Sequence, residues 1–202
     1  MRVVLASSSP RRLELLRAVG VEPEVLPAEV DESAQPGEAP ETMVLRLATG
    51  KARAVAGRVQ GPALVLGADT VVVRDAVVLG KPRDSRDLRR MLESLSGRSH
   101  QVLTGVCLID REPDGRLPDV ELTGLATTTV VFAALAPGDI DWYVASGEGF
   151  DKAGGYAVQG LAALFIPEIR GSWSNVVGLP LDLLHRLATA LGRDLRQLSG
   201  RA

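Results

Sequence analysis

The chain is poor in cysteine, lysine, asparagine and aromatic side chains: one Cys, three Lys, one Asn, and two Trp, two Tyr and three Phe among 202 residues. Each scarcity excludes something. A lone cysteine, Cys107, closes no intrachain disulfide, which argues against an exported fold stapled by bridges. Lying in the apolar run 102–109, it reads as a buried structural thiol. So few aromatic rings make no platform on which single-stranded bases could stack. No apolar stretch approaches the roughly 18 residues of a membrane helix, and residues 1–6 lack the basic region and cleavage site of a signal peptide. The expected location is therefore the cytoplasm. A net charge of -2 and a pI near 5.8 supply no overall drive toward nucleic acid or an anionic membrane, and neither is expected as a partner.

The remaining composition, 46% hydrophobic and 24% charged, suits a compact globular protein. No spacer or change of composition divides the chain, so residues 1–202 are expected to form a single domain. Of the 23 basic residues 20 are Arg, a bias that replaces Lys wherever either cation serves on a solvated surface. The three lysines retained, Lys51 in TGKARA, Lys81 in LGKPRD and Lys152 in FDKAGG, all stand beside glycines or polar turns, where a compact charge on a flexible stem suits better than a planar fork.

Hydrophobic periodicity predicts a strand over 2–6, then Ser9 as N-cap and Pro10 as first residue of a helix that Gly20 ends. Strands are expected over 22–28, 63–66, 100–109, 120–134 and 162–169, and a hairpin of 70–73 with 76–79 around Arg74-Asp75. The strands at 100–109 and 120–134 should pair antiparallel across a Pro/Gly/Asp turn. Helices are expected over 41–58, 85–95, 137–145 and 180–191. Mixed βα units with long hairpins imply an α/β fold, a single domain with a mixed sheet flanked by helices.

Three stretches could carry chemistry. In SSSPRR (7–12) a helix start, three hydroxyls and the guanidinium groups of Arg11 and Arg12 make a cradle for phosphate. In GADTVV (67–72) an apolar strand runs into Gly67-Ala68-Asp69-Thr70, which places the Asp69 carboxylate at a strand's end, where α/β enzymes carry a metal ligand or general base. The stretch 146–160, with five glycines beside Glu148, Asp151, Lys152 and Gln159, is too polar and flexible for a core element; it either wraps a ligand closely or forms a mobile surface loop. His185 reads as a helix-surface residue and His100 as structural. No Walker-type loop, GxSxG elbow, HExxH or paired-cysteine zinc motif occurs. Cations and hydroxyls for phosphate, with a few carboxylates for a divalent ion, suit phosphoryl chemistry.

The motifs LASSSPRRLELL, GADTVV, LGKP, HQVLTGV, SGEGFDKAGGYAVQG and NVVGLP occur in this order. In this the chain closely resembles the Maf (septum formation inhibitor-like) nucleoside triphosphate pyrophosphatases. The resemblance implies a fold similar to inosine triphosphate pyrophosphatases, frequent dimers, and hydrolysis of a nucleoside triphosphate to monophosphate and pyrophosphate with Mg²⁺ or Mn²⁺. It implies Asp69 as the catalytic acid, described as the proton acceptor, and Ser9, Arg12, Glu32, Lys51 and Lys81 as polar positions lining the pocket; the mechanism expected from these residues has Asp69 with Glu32 holding the metal. Arg11, Thr70 and Gln159 stand at the positions that separate subfamilies and look like the branch acting on dTTP and UTP. The neutral Gln159 agrees with that branch, because an amide offers both acceptor and donors to a pyrimidine's imide edge. The competing readings are a nucleotide-binding regulator of cell division and septum formation, and a purine (ITP-type) pyrophosphatase.

Overall fold

The computed structural model describes residues 1–111 and 119–198. Its sheet has seven strands in the order β2 (Glu24–Val25), β1 (Arg2–Leu5), β3 (Ala63–Arg74), β5 (Ser99–Arg111), β6 (Val120–Val131) and β7 (Glu168–Arg170), with β4 (Val77–Leu79) paired to β3. β1 runs parallel to β2 and β3, whereas β3 with β4 and β6 with β7 are antiparallel, so the sheet is mixed as expected. β5 and β6 are neighbours; the turn expected between them lies outside the described residues. Among the described residues six α-helices accompany the sheet: α1 (Pro10–Ala18), α2 (Pro40–Ala56), α3 (Ser85–Leu95), α4 (Pro137–Ser146), α5 (Trp173–Val177) and α6 (Leu181–Ala190).

The chain divides into two compact units: Met1–Asp69 with Thr104–Ala126 and Gly178–Ala202, and Thr70–Leu103 with Thr127–Val177. In the first, Ala48, Ala52 and Ala56 recur every fourth residue along α2 and pack with Val4, Val65 and Cys107. This small-residue stripe lets the helix backbone come down onto the sheet at two glycines. A Cβ on Gly67 would lie 2.2 Å from the Ala48 carbonyl oxygen, and one on Gly105 would lie 2.3 Å from that of Val44.

That contact corrects one expectation. Gly67 does not end a strand; β3 passes through Gly67 and Asp69 without a break, and Asp69 lies in mid-strand. The glycine is there for close approach of a helix, a role that a strand glycine serves as readily as termination. The hairpin forms as expected but turns on Asp75-Ala76, one residue later. Both have positive φ, 49° and 62°, the pattern of a two-residue turn whose twist matches the strands. Alanine in this left-handed region is strained. Ala76→Gly should stabilise the protein by about 1 kcal/mol, raising the thermal midpoint by a few degrees in a calorimetric scan.

In the second unit Leu88, Leu92 and Leu95 of α3 pack with Val102, Val130, Phe132, Ile140, Tyr143 and Tyr156. Asp84 caps α3, accepting from the Asp87 N–H at 2.8 Å. Two further expectations are corrected. The predicted strand 22–28 is reduced to the two residues of β2. The predicted strand 162–169 is a 3₁₀ turn (Leu161–Phe165) followed by β7; a carboxylate from elsewhere in the unit takes the N–H groups that open the turn, as described below.

Candidate active site

The first unit gathers most of the charged candidates. Ser9 caps α1, its hydroxyl accepting from the Arg12 N–H at 3.5 Å, and Pro10 is the first helical residue. Arg12 is buried. Its Nε donates to the Gly178 carbonyl at 2.8 Å and its Nη1 to Ser7 Oγ at 3.0 Å. Burial lowers its pKa from the ordinary arginine value, with Arg11 acting in the same direction, while the charges of Asp69 and Glu32 oppose the shift. Arg12, Arg11, Asp69 and Glu32 therefore share one electrostatic neighbourhood. Arg11 is half-buried at the start of the same helix.

Lys51 is the centre of this group. Along β3, Ala63, Val65, Gly67 and Asp69 alternate onto one face, and Ala63 and Val65 pack in the cluster formed with α2. The close approach at Gly67 brings Lys51, one turn beyond Ala48 and next to Ala52, within reach of Asp69. Lys51 Nζ donates to Asp69 Oδ1 at 2.7 Å and pairs with Glu32 Oε1 at 2.5 Å. The Lys51 and Asp69 side chains are 10% and 11% exposed, Glu32 63%. Two acids thus converge on one compact ammonium, an arrangement that suits lysine and not the planar fork of arginine.

Glu32 is carried by a loop that two other residues hold. Glu38 grips Arg46 of α2 with both oxygens, at 2.6 and 2.7 Å, and Arg46 Nη2 also donates to the Ser33 carbonyl at 3.0 Å. Asp31 accepts from the Ser33 N–H at 2.9 Å, turning the chain at Glu32. The Glu38 hydrogen bonds raise the Arg46 pKa, with weaker help from Asp31 and Asp69. Neither Glu38 nor Arg46 stands out in the sequence. They lie on either side of a loop-to-helix junction, where no periodicity links them.

The oxygens of Asp69 and Glu32 are hard ligands of the kind Mg²⁺ and Mn²⁺ take, and such ions are ordinarily held by one or two carboxylates plus substrate phosphates. Among the described residues no group of three or more His, Cys, Asp or Glu could hold a metal by itself. The donor set fits a divalent cation shared with a polyphosphate.

The second unit holds Thr70, Lys81, Lys152 and Gln159. Thr70 follows Asp69 on β3 and is half-buried, while Lys81 and Gln159 are exposed. Lys152 pairs with the neighbouring Asp151. The glycine-rich stretch departs from its expected flexibility: Gly149, Gly154, Gly155 and Tyr156 are buried. A Cβ on Gly149 would lie 2.3 Å from the Gly155 carbonyl oxygen, and one on Gly154 2.9 Å from the Val72 side chain. Its glycines serve dense packing, and the Gly154 N–H donates to the carbonyl of Gly80, next to Lys81, at 3.0 Å.

Of the two histidines, His185 is exposed on α6. His100 is buried, its Nε2 2.7 Å from Tyr156 Oη, and burial holds its pKa down at about 4. An imidazole neutral in the fold but free to protonate once unfolded contributes fully above its ordinary value of 6.5; that contribution is lost as the pH falls from 6.5 toward 4. About 3 kcal/mol of acid sensitivity should therefore disappear in His100→Gln, read from denaturant unfolding across that pH window. An unchanged slope would contradict the burial argument. Cys107 is buried, and burial pushes its thiol up to about 12.

Comparison with known proteins gives the family. A model described as Maf-like protein matches residues 2–191. A dTTP/UTP pyrophosphatase of Anaeromyxobacter sp. (strain Fw109-5) is 54% identical over 194 residues, covering 96% of this chain and 91% of its own. One of Symbiobacterium thermophilum is 51% identical over 191 residues, covering 95% and 94%. Solved structures are more distant: a HAM1 protein from Coxiella burnetii is 18% identical with a TM-score of 0.47, covering 95% of this chain and 98% of its own. A nucleoside-triphosphatase / dITP/XTP pyrophosphatase from Mycobacterium abscessus is 16% identical with a TM-score of 0.36, covering 95% and 97%. With nearly the whole chain matched by one family model, and relatives about half identical along almost all of it, this chain belongs to the Maf family.

Proposed function

We propose that this protein hydrolyses nucleoside triphosphates, dTTP and UTP above others, to the monophosphate and pyrophosphate. The observation that carries the reading is Lys51 held between Asp69 and Glu32, with the buried Arg12 beside them, in a chain about half identical to proteins named dTTP/UTP pyrophosphatase. Two acids and several cations together are what a polyphosphate and its counter-ion require.

In this reading Ser9, Arg11, Arg12, Lys51 and Lys81 bind the triphosphate, and Thr70 and Gln159 meet the nucleoside. Asp69 accepts the proton of a water as that water's oxygen bonds to the α-phosphorus. The α-phosphorus bond to the bridging oxygen breaks, and pyrophosphate leaves with the electron pair. Asp69 and Glu32 would hold Mg²⁺ or Mn²⁺, which when bound neutralises phosphate charge and acidifies water. A carboxylate engaged by a cation is a weaker base, so the two tasks of Asp69 compete. The whole chain acts as one pyrophosphatase domain, as a homodimer in the cytoplasm, with no nucleic-acid or membrane partner. Among the described residues no helix is long and apolar enough to cross a membrane.

The test is pyrophosphate release by the purified protein with Mg²⁺ or Mn²⁺, over dTTP, UTP, CTP, 7-methyl-GTP and ITP. Turnover led by dTTP and UTP supports the reading. Turnover of purines alone overturns the choice of substrate, and silence on every nucleotide overturns the enzyme.

A further inference from the structure

Gln159 is exposed, yet the backbone that carries it is tied on both sides. The Gly160 N–H donates to the Ala157 carbonyl at 3.1 Å, closing a turn with Gln159 at its third position. Immediately beyond, Glu148 grips the exit of that turn. Its Oε2 accepts from the Leu161 N–H at 2.8 Å, and its Oε1 from the Ala162 N–H at 3.4 Å and from Tyr143 Oη at 2.9 Å.

Glu148 is itself anchored. Its N–H donates to Ser146 Oγ at 3.2 Å, and Ser146 Oγ donates to the Tyr143 carbonyl at 2.6 Å. Gly160 is shaped to the carboxylate: a Cβ there would lie 2.2 Å from Glu148 Oε2 and 2.5 Å from Cδ. Three donors meet the two oxygens, so the position calls for a group that only accepts. A glutamine would turn an NH₂ toward one of them.

We propose that Glu148 is a positioning residue for Gln159: its carboxylate fixes the turn on which that amide is presented, and thereby sets selectivity for the base. This rests on the reading of Gln159 as the residue that meets the nucleoside. Glu148 would touch neither phosphate nor base. Its loss should therefore raise KM and blur discrimination more than it lowers kcat.

The experiment compares wild type, Glu148→Gln and Gly160→Ala by three readouts: steady-state kinetics on dTTP, CTP and GTP, equilibrium binding of the same nucleotides, and hydrogen exchange of the Leu161 and Ala162 amides without nucleotide. Gly160→Ala leaves Glu148 intact but expels its carboxylate, so both variants should behave alike. The expected result is a rise in KM for dTTP of about tenfold, a change in kcat of less than about threefold, and a fall of roughly tenfold in the preference for dTTP over GTP. Exchange at both amides should quicken by about tenfold or more. Unchanged selectivity in either variant, or unchanged exchange, overturns the proposal. So does an equal loss on all three nucleotides with a lowered thermal midpoint, the mark of a merely structural role. A wild type that binds dTTP without hydrolysing it sinks the catalytic reading and leaves this one to be decided by binding and exchange; a wild type that shows no preference for dTTP in binding overturns both.

Discussion

Replacing Asp69 with Asn is expected to lower kcat for dTTP by roughly a thousandfold or more, the scale on which a positioned general base contributes. Asparagine has the same shape but neither the charge to hold Lys51 and a divalent cation nor the basicity to take a proton. The fold should survive, because Lys51 keeps Glu32 as partner, 2.5 Å away. Circular dichroism and a thermal scan on the same preparation separate lost chemistry from lost structure. Stability should fall modestly, since the Lys51–Asp69 pair is largely shielded from water and removing one partner of such a pair leaves the other poorly compensated. Activity within tenfold of wild type in a folded Asp69→Asn would remove Asp69 from the mechanism, as base and as metal ligand alike.

The second large effect lies at Gly67, which touches no substrate in any reading. A methyl group there would meet the Ala48 carbonyl oxygen at 2.2 Å, the Ala52 N at 2.7 Å and the Ala52 Cβ at 2.9 Å. Two of these three atoms are backbone, so no rotamer change relieves the clash; α2 itself must lift from the sheet. The expected cost is about 3 kcal/mol or more, near 10 °C in thermal midpoint for a chain of this size. Trimming the side chain that clashes should not help, and the double variant Gly67→Ala/Ala52→Gly is expected to stay as unstable as the single one. Gly138→Ala, where a Cβ meets nothing within 4 Å, is the control and should be neutral or slightly stabilising. Because Lys51 rides on α2, what folded Gly67→Ala remains should also turn over dTTP slowly. A Gly67→Ala protein as stable and as active as wild type would show that the helix does not rest on this glycine.

These outcomes trace a division between what neighbouring residues dictate and what the fold decides. Ser9 and Pro10 announce a helix start because a cap and its first turn are made within three residues of each other. The turn at Asp75-Ala76 is legible to within one residue for the same reason, as are the span of α3 and the apolar spacing of α2. The order of the motifs, from SPRR through GADT to NVVGLP, carries the family, because it strings together chemistry too particular to recur by chance.

Asp69 shows where such reading stops. A glycine two residues earlier looks like a terminator, and only the helix lying across it reveals a close approach, with the acid in mid-strand instead of at an end. The Lys51–Asp69 pair joins residues 18 apart, Glu148 reaches across 13 to the Leu161 N–H, and the hold of Glu38 on Arg46 spans eight residues of loop and helix. None of these pairs has a sequence period. Neighbouring residues and the motifs they form were enough for the helices, most of the strands, the family and the kinds of side chain available, since those follow from interactions within a turn or from the motifs themselves; they were not enough for β2, for the 3₁₀ turn before β7 or for the run of β3 through Gly67. The tertiary structure alone decided which charges meet and which backbone is held, because contact between remote segments depends on packing distances that a missing Cβ or a carboxylate sets to within an ångström.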